Sequence, residues 1–470
     1  MTLPNGFLDR LRQLVGAPNV LIADDDTAKY RHEERGLLTS ICDAVVRPAN
    51  TDEIAAVVKA CVAAGVPIVA MGGNTGLVGG GVANGGVILS TERLNRIIEI
   101  DALNNTMTVE AGCVLADLQK AAEEANCFFP LSLGAEGSCR IGGNISTNAG
   151  GVGVLRYGNT RDLVLGLEVV LPDGRVWSRL NGLRKDNTGY DLKHLFIGAE
   201  GTLGIVTKAV LKLFPRPRAK VTLMAALREL DQVLVLFDRI RNACGDRLTA
   251  FEMIPELGIE LVTRHIPDTR DPFAERHPWY VLMELTSPRS ADDLRGEVEG
   301  ALGEAFEAGV VVDAVFAESE AQGRALWKLR EEIPGAQTRE GGSIKHDVSV
   351  PVSRTTEFVR LAMQAVIDEM PGLRPCPFGH IGDGNIHFNL TQPPGMDKAA
   401  FIARWEDFNR IVHDLTKRYG GSISAEHGIG LVKRDELEHY SSALDIELMR
   451  LVKKSLDPNN IMNPGKIFVV

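Results

Sequence analysis

Apolar residues recur at helical and strand spacings along most of the chain, and they predict its elements. Phe7 to Val15 reads as a short amphipathic helix. Ile54, Val57, Val58 and Cys61 fall on one face of a helix that Thr51 would cap and Gly65 would end. Short apolar runs predict strands at Val66–Met71, Val87–Ser90, Ile97–Asp101 and Thr106–Ala111, with a second helix over Val114–Asn126. Gly166–Leu171 and the segment starting at Arg175 flank Pro172-Asp173-Gly174, a hairpin pattern. Beyond Pro215-Arg216-Pro217-Arg218, strands such as Val221–Ala226 and Trp279–Leu285 alternate with helices such as Leu230–Asn242 and Ala291–Phe306. That order predicts an α+β domain with a mostly antiparallel sheet.

The most unusual pattern lies at Pro377 to Asn389. Phe378, Ile381, Ile386 and Phe388 surround Gly382-Asp383-Gly384-Asn385, a strong turn sequence. A hairpin here brings His380 and His387 near each other across two strands. Two imidazoles so placed make half of a metal site. Ser424-Ala-Glu-His-Gly supplies the missing donors, with Glu426 as a carboxylate and His427 as a further imidazole. Two histidines and one carboxylate leave coordination positions open, as catalytic sites do; Zn²⁺ is the default ion, and Mn²⁺ or Fe²⁺ also suit the set.

Composition narrows the class. At 470 residues, 44% hydrophobic and 24% charged, the chain is a multi-domain globular protein. Its net charge of -11, without a basic tract, argues against nucleic-acid binding. No secretory leader and no membrane-length apolar run is read. Seven cysteines without a CxxC pair read as reduced thiols, so a cytoplasmic location is expected. Glycine reaches 48 residues and crowds the first half, with six in the ten residues Gly72–Gly81. No GxGxxG in a βαβ unit and no Walker loop is found, which disfavours a nicotinamide Rossmann domain and a P-loop.

Gly72-Gly-Asn-Thr-Gly-Leu77, Gly142-Gly-Asn-Ile-Ser-Thr-Asn-Ala-Gly150 with Arg156-Tyr-Gly158, and Gly201-Thr-Leu-Gly-Ile205 resemble the FAD-binding domain of the vanillyl-alcohol-oxidase superfamily. The resemblance implies a PCMH-type FAD-binding domain of two α/β subdomains over 41–216. An N-terminal segment over 1–40 precedes it, and an α+β substrate domain with a large antiparallel sheet follows over 217–470. The end, 455–470 with Asn463-Pro-Gly-Lys466, would return to the FAD. Gly72, Gly73, Asn74, Thr75, Gly76 and Leu77 would hold the pyrophosphate. Ser138, Gly142, Asn144, Thr147 and Gly150 would line the flavin and ribityl side, and Gly204, Ile205 and Asn463 would complete the cofactor site.

The C-terminal motifs resemble the FAD-linked 2-hydroxy-acid dehydrogenases, and Leu183-Arg-Lys-Asp-Asn-Thr-Gly-Tyr-Asp-Leu192 adds to the match. This implies His380, His387 and Glu426 as metal ligands and His427 as catalytic base and substrate contact. Arg330, Lys345 and Asn389 would bind substrate. The implied reaction oxidises a D-2-hydroxy acid, D-2-hydroxyglutarate before D-lactate or glycolate. A divalent metal would lower the hydroxyl pKa, and hydride would pass to flavin N5. Pro334 stands where relatives carry a threonine that touches the substrate. Read alone, Arg330 fits a solvated helix face as well, and Lys345 an edge strand.

No haem or Fe–S cysteine pattern is found, so the electron acceptor is external, such as an electron-transfer flavoprotein or a quinone-linked partner. A homodimer is compatible with these readings. Two rivals remain at this point: an NADPH-dependent flavin reductase, where the His/Glu set has no task, and a non-catalytic flavin subunit of a larger oxidase. Some relatives attach FAD through a histidine in the first glycine loop, which here holds Asn74 and Thr75 instead. Acid precipitation is therefore expected to release all of the yellow chromophore; flavin left on the polypeptide would contradict non-covalent binding.

Overall fold

The computed structural model describes residues 3–290 and 293–469. It forms two compact units. The first comprises Met1–Gly151, Gly158–Arg216 and Glu426–Val470; the second comprises Val152–Tyr157 and Pro217–Ala425. Both are discontinuous. The sequence reading divides the chain at residue 216 and returns 455–470 to the first part; by its packing the returning stretch begins earlier, at Glu426.

The first unit has two main sheets. One joins β1 (Val20–Leu21), β2 (Ala44–Val46), β3 (Ile68–Met71) and β4 (Val87–Ser90) in the order β1-β2-β4-β3. Strands β2 and β3 run parallel to β4, and helix Thr51–Ala64 makes the crossover. The other is antiparallel, with β5 (Ile97–Asp101), β6 (Thr106–Glu110), β8 (Val164–Val170), β9 (Val176–Arg179) and β10 (Ile205–Lys212) in the order β5-β6-β10-β8-β9. A two-residue pair, β7 (Cys127–Phe128) with β11 (Phe214–Pro215), completes the strands of this unit.

The helix Thr51–Ala64 shows how sequence and structure part at a cap. Asn50, not Thr51, is the N-cap: its side chain accepts from Glu53 N at 2.9 Å, and Glu53 accepts from Ala49 N at 2.8 Å. Thr51 is buried instead, and its hydroxyl donates to Glu168 at 2.6 Å. Gly65 ends the helix at φ 63°, where a side chain would be strained. At the start of the glycine-rich stretch Gly142–Gly150, Ile141–Thr147 is helical. A Cβ on Gly142 would come 2.8 Å from Ala111 Cβ, so glycine lets this helix sit against the chain at Ala111.

The second unit carries an antiparallel sheet of β12 (Ala219–Leu227), β13 (Leu248–Pro255), β14 (Trp279–Ser287) and β15 (Asp313–Phe316), in the order β13-β14-β12-β15. A second antiparallel sheet holds β16 (Ser343–Ser349), β17 (Arg374–Phe378) and β18 (Asn385–Thr391), in the order β16-β18-β17. The one large sheet expected from sequence is thus two sheets. Their facing edges are stitched by paired hydrogen bonds between Met253 and Gly379, at 2.9 and 3.0 Å. Along β18, Ile386, Phe388 and Leu390 enter a core with Phe358, Val359, Phe408 and Val412, all fully buried. The alternate residues Asn385, His387, Asn389 and Thr391 occupy the other face.

All seven cysteines are free thiols, six of them buried. No helix among the described residues is long and apolar enough to cross a membrane.

The C-terminal segment is fastened to the first unit by a buried lysine. Lys453 Nζ donates to Thr202 O at 2.9 Å and Met462 O at 2.8 Å, and pairs with buried Asp457. Lys453→Met leaves that carboxylate uncompensated, which costs roughly 3–5 kcal/mol. A clear drop in Tm is expected, partly recovered by adding Asp457→Asn; an unchanged Tm for the single variant would refute the anchoring role.

Candidate functional site

Two candidate sites follow from the fold, one in each unit. In the first unit, the loop after β3 and the helix Ile141–Thr147 border a cavity. Its lining includes Gly72, Gly73, Asn74, Thr75, Gly76, Gly142, Asn144, Thr147, Gly204 and Ile205, all read as cofactor residues from sequence. Leu77, Ser138, Gly150 and Asn463, read in the same way, do not line it. Residues missed by that reading do: Arg140, Ser146, Glu200 and Gly201 among them. His427 lines the cavity too.

The lining fits a large anionic cofactor such as FAD. Asn144 Oδ1 is buried without a hydrogen-bond partner among the described residues, an acceptor that a ligand would satisfy. At Gly73 a Cβ would come 2.4 Å from Ser138 O, so only glycine permits this loop its close approach.

Asn463 and Gly150 have other tasks. The Asn463 amide donates to Gly80 O at 3.0 Å and to Glu200 O at 2.6 Å, tying the C-terminal segment to the glycine loop. A Cβ on Gly150 would lie 2.5 Å from Glu426 Oε1, so glycine makes room for the carboxylate read as a metal ligand.

Glu200 sets the position of the Glu426-His427 loop. Its two oxygens accept from Ile429 N at 2.7 Å and Gly430 N at 2.8 Å. Glu200 itself sits at φ 51°, a conformation unusual for glutamate. Burial raises its carboxyl above the usual range, against those donors and Lys466. Burial pushes Lys466 down to about 8, with Glu200 pulling the other way. The acid within Gly198-Ala-Glu-Gly-Thr is the signal in the sequence that points to this residue.

In the second unit, the polar face of the β16-β18-β17 sheet gathers the other predicted residues. Lys345 is opposite Asn389 and Asp347 opposite His387 on β16 and β18. Directly opposed residues share a face. Phe378 opposes His387 on the other side. His380 therefore lies in the turn beyond β17 rather than on the strand, but its ring centroid is still 5.5 Å from that of His387. The two imidazoles are near neighbours, as the hairpin reading expects.

Each of these histidines has a carboxylate at Nδ1. Glu252 Oε1 is 2.7 Å from His380 Nδ1, and Asp347 Oδ1 is 3.8 Å from His387 Nδ1. Arg330 lies in the last turn of the helix Glu320–Glu331 and is buried, which excludes the solvated-face reading. Its Nε donates to Glu252 Oε2 at 2.8 Å, and its guanidinium lies over Phe378 at 4.7 Å. Burial opposes ionisation of Glu252, but its contacts with His380 and Arg330 outweigh it and hold the carboxyl below its usual range.

Asn389 is buried and donates to Gln337 Oε1 at 2.8 Å; Gln337 in turn donates to Thr391. Gln337 is one turn beyond Pro334, which occupies the first turn of the helix Ile333–Glu340. Glu252, Asp347 and Gln337 escape the sequence reading because the partners that give each its place are distant in sequence: Arg330 and His380 for the first, His387 for the second and Asn389 for the third.

Family comparisons bear on both units. Residues 42–178 match the FAD binding domain model, and 216–467 match the model for FAD linked oxidases, C-terminal domain. The chain belongs to the FAD-linked oxidases. It is an FAD-dependent oxidoreductase.

This flavoenzyme is 42% identical over 459 residues to a D-2-hydroxyglutarate dehydrogenase of Xanthomonas citri pv. viticola, covering 97% of this chain and 96% of the relative. It is 37% identical to one of Stutzerimonas stutzeri, covering 100% of both chains. A mitochondrial D-2-hydroxyglutarate dehydrogenase of Danio rerio is 40% identical, over 90% of this chain and 78% of the relative. Among solved structures, p-cresol methylhydroxylase with substrate bound matches with a TM-score of 0.78 at 19% identity, over 99% of this chain and 96% of the other. Alkyldihydroxyacetonephosphate synthase matches with a TM-score of 0.76 at 17% identity, over 98% and 86%. These structures establish the α+β fold, and the family model supplies its FAD-binding domain.

The glycine geometry gives a direct test. Gly73→Ala must displace backbone at Ser138, whereas a Cβ on Gly76 meets nothing within 4 Å. The first variant is expected to purify with clearly less flavin per chain than wild type, the second with a full complement. Equal flavin content in both would refute the close-approach role.

Proposed function

We propose that this flavoenzyme is a dehydrogenase of a D-2-hydroxy acid, with D-2-hydroxyglutarate as substrate and an external electron acceptor. The observation that carries this reading is the polar sheet face, where Lys345, His387 and Asn389 share one surface beside buried Arg330. The relatives named for that activity, alike over nearly their full length, support it.

A five-carbon dicarboxylate asks for two cationic contacts. Arg330 suits bidentate pairing with one carboxylate, and Lys345 supplies a point charge for another. Asn389 offers an amide whose direction Gln337 fixes. His427 takes the proton of the substrate hydroxyl, a role worth about 10²–10⁴ in rate for a well-placed base. His380, His387 and Glu426 are the proposed metal ligands, and their N, N, O donor set matches zinc or another first-row divalent ion. When bound, FAD supplies the hydride acceptor and the cation a Lewis acid. Gly150 keeps the space that the Glu426 carboxylate needs.

The test is an anaerobic scan of D- and L-2-hydroxy acids, read as loss of flavin absorbance. Bleaching by D-2-hydroxyglutarate, and its loss after removal of metal by a chelator, is expected. Bleaching by NADPH alone would favour a flavin reductase instead. His427→Ala should keep FAD yet slow bleaching by roughly 10²-fold or more; an undiminished rate would remove it from the proton-transfer role.

A further inference from the structure

Glu252 is a buried acid that the chemistry above leaves without a task. It is 1% exposed and points from β13, a strand whose other residues are almost all apolar. Its two oxygens are divided between two residues far apart in sequence: Oε1 meets His380 Nδ1 at 2.7 Å and Oε2 meets Arg330 Nε at 2.8 Å. The paired backbone bonds between Met253 and Gly379 bring Glu252 beside His380. Stability alone is a weak reason for such an arrangement, because apolar residues of similar volume often serve a core as well as a buried ion pair.

We propose that Glu252 is a positioning residue that links metal binding to substrate binding. Resting on the reading above, it acts through both neighbours at once. Accepting from His380 Nδ1–H fixes the tautomer and leaves Nε2 with its lone pair for a cation. Accepting from Arg330 Nε holds the guanidinium against Phe378 and leaves the terminal nitrogens for a carboxylate. A glutamine at 252 offers one acceptor and one N–H, so it serves one neighbour and opposes the other.

The test uses the FAD-loaded protein and two readouts independent of turnover. One is Zn²⁺ affinity, from competition with a chromophoric chelator after the metal is stripped. The other is the affinity for glutarate, which carries both carboxylates but no hydroxyl, read as a shift in flavin absorbance. Glu252→Gln is expected to weaken zinc about 10–100-fold and to weaken glutarate as well. In an Arg330→Met background the same change should still weaken zinc and have no further effect on glutarate. Should Glu252→Gln fail to fold, Glu252→Asp keeps the charge while retracting the carboxylate, and the same two losses are expected. Unchanged affinities for both probes, with only Tm lowered, would overturn the proposal and leave the dehydrogenase reading intact. Failure of the wild type to bind zinc would remove the metal site and this proposal with it.

Discussion

The carboxylate of Glu200 is the contact on which the layout of the first unit's candidate site rests. It holds the N–H groups of Ile429 and Gly430, and so fixes the loop bearing Glu426 and His427 beside the glycine-lined cavity. Water would satisfy those donors as well in an open loop. The contact therefore matters mainly as a constraint on position. The strained backbone at Glu200 and the downward-shifted Lys466 both lie within this same small region. Such costs persist where the surrounding structure over-determines them, as at binding sites.

In the second unit, the constraint is alternation along a single strand. Every second residue of β18 is committed to the core, so the residues between them must share the opposite face. Register then aligns Lys345 and Asp347 with Asn389 and His387. A slip by one residue would turn the imidazole into the apolar core and place Phe388 among the polar side chains. The polar face is thus held by the hydrophobic packing behind it.

Much of this is legible in the order of residues along the chain. The two-residue period and the Gly-Asp-Gly-Asn turn predict the hairpin, and with it the approach of His380 to His387. Glycine clusters predict a cavity that backbone approaches closely. What local pattern does not reveal is long-range partnership. Thr51 reads as a cap because its neighbours are helical, but its hydroxyl donates to Glu168, 117 positions away. Gly150 reads as facing the cofactor, and nothing near it in sequence announces that its lack of a side chain makes room for Glu426. Arg330 can be weighed only as a helix-surface residue, because nothing near it in sequence announces Glu252.

The return of the C-terminal segment also sets an order of events during synthesis. Residues 461–463 lie along the open edge of β3, with Ile68 N donating to Ile461 O at 2.8 Å and Asn463 N to Ile68 O at 2.7 Å. Strand β3 is made before the second unit, and the chain that covers its edge is made only after it. The second unit is complete once Ala425 has emerged. Of the two units, the one started first is therefore the one that closes later, and while the second unit is being made its uncovered strand edge is a place where a chaperone has something to protect.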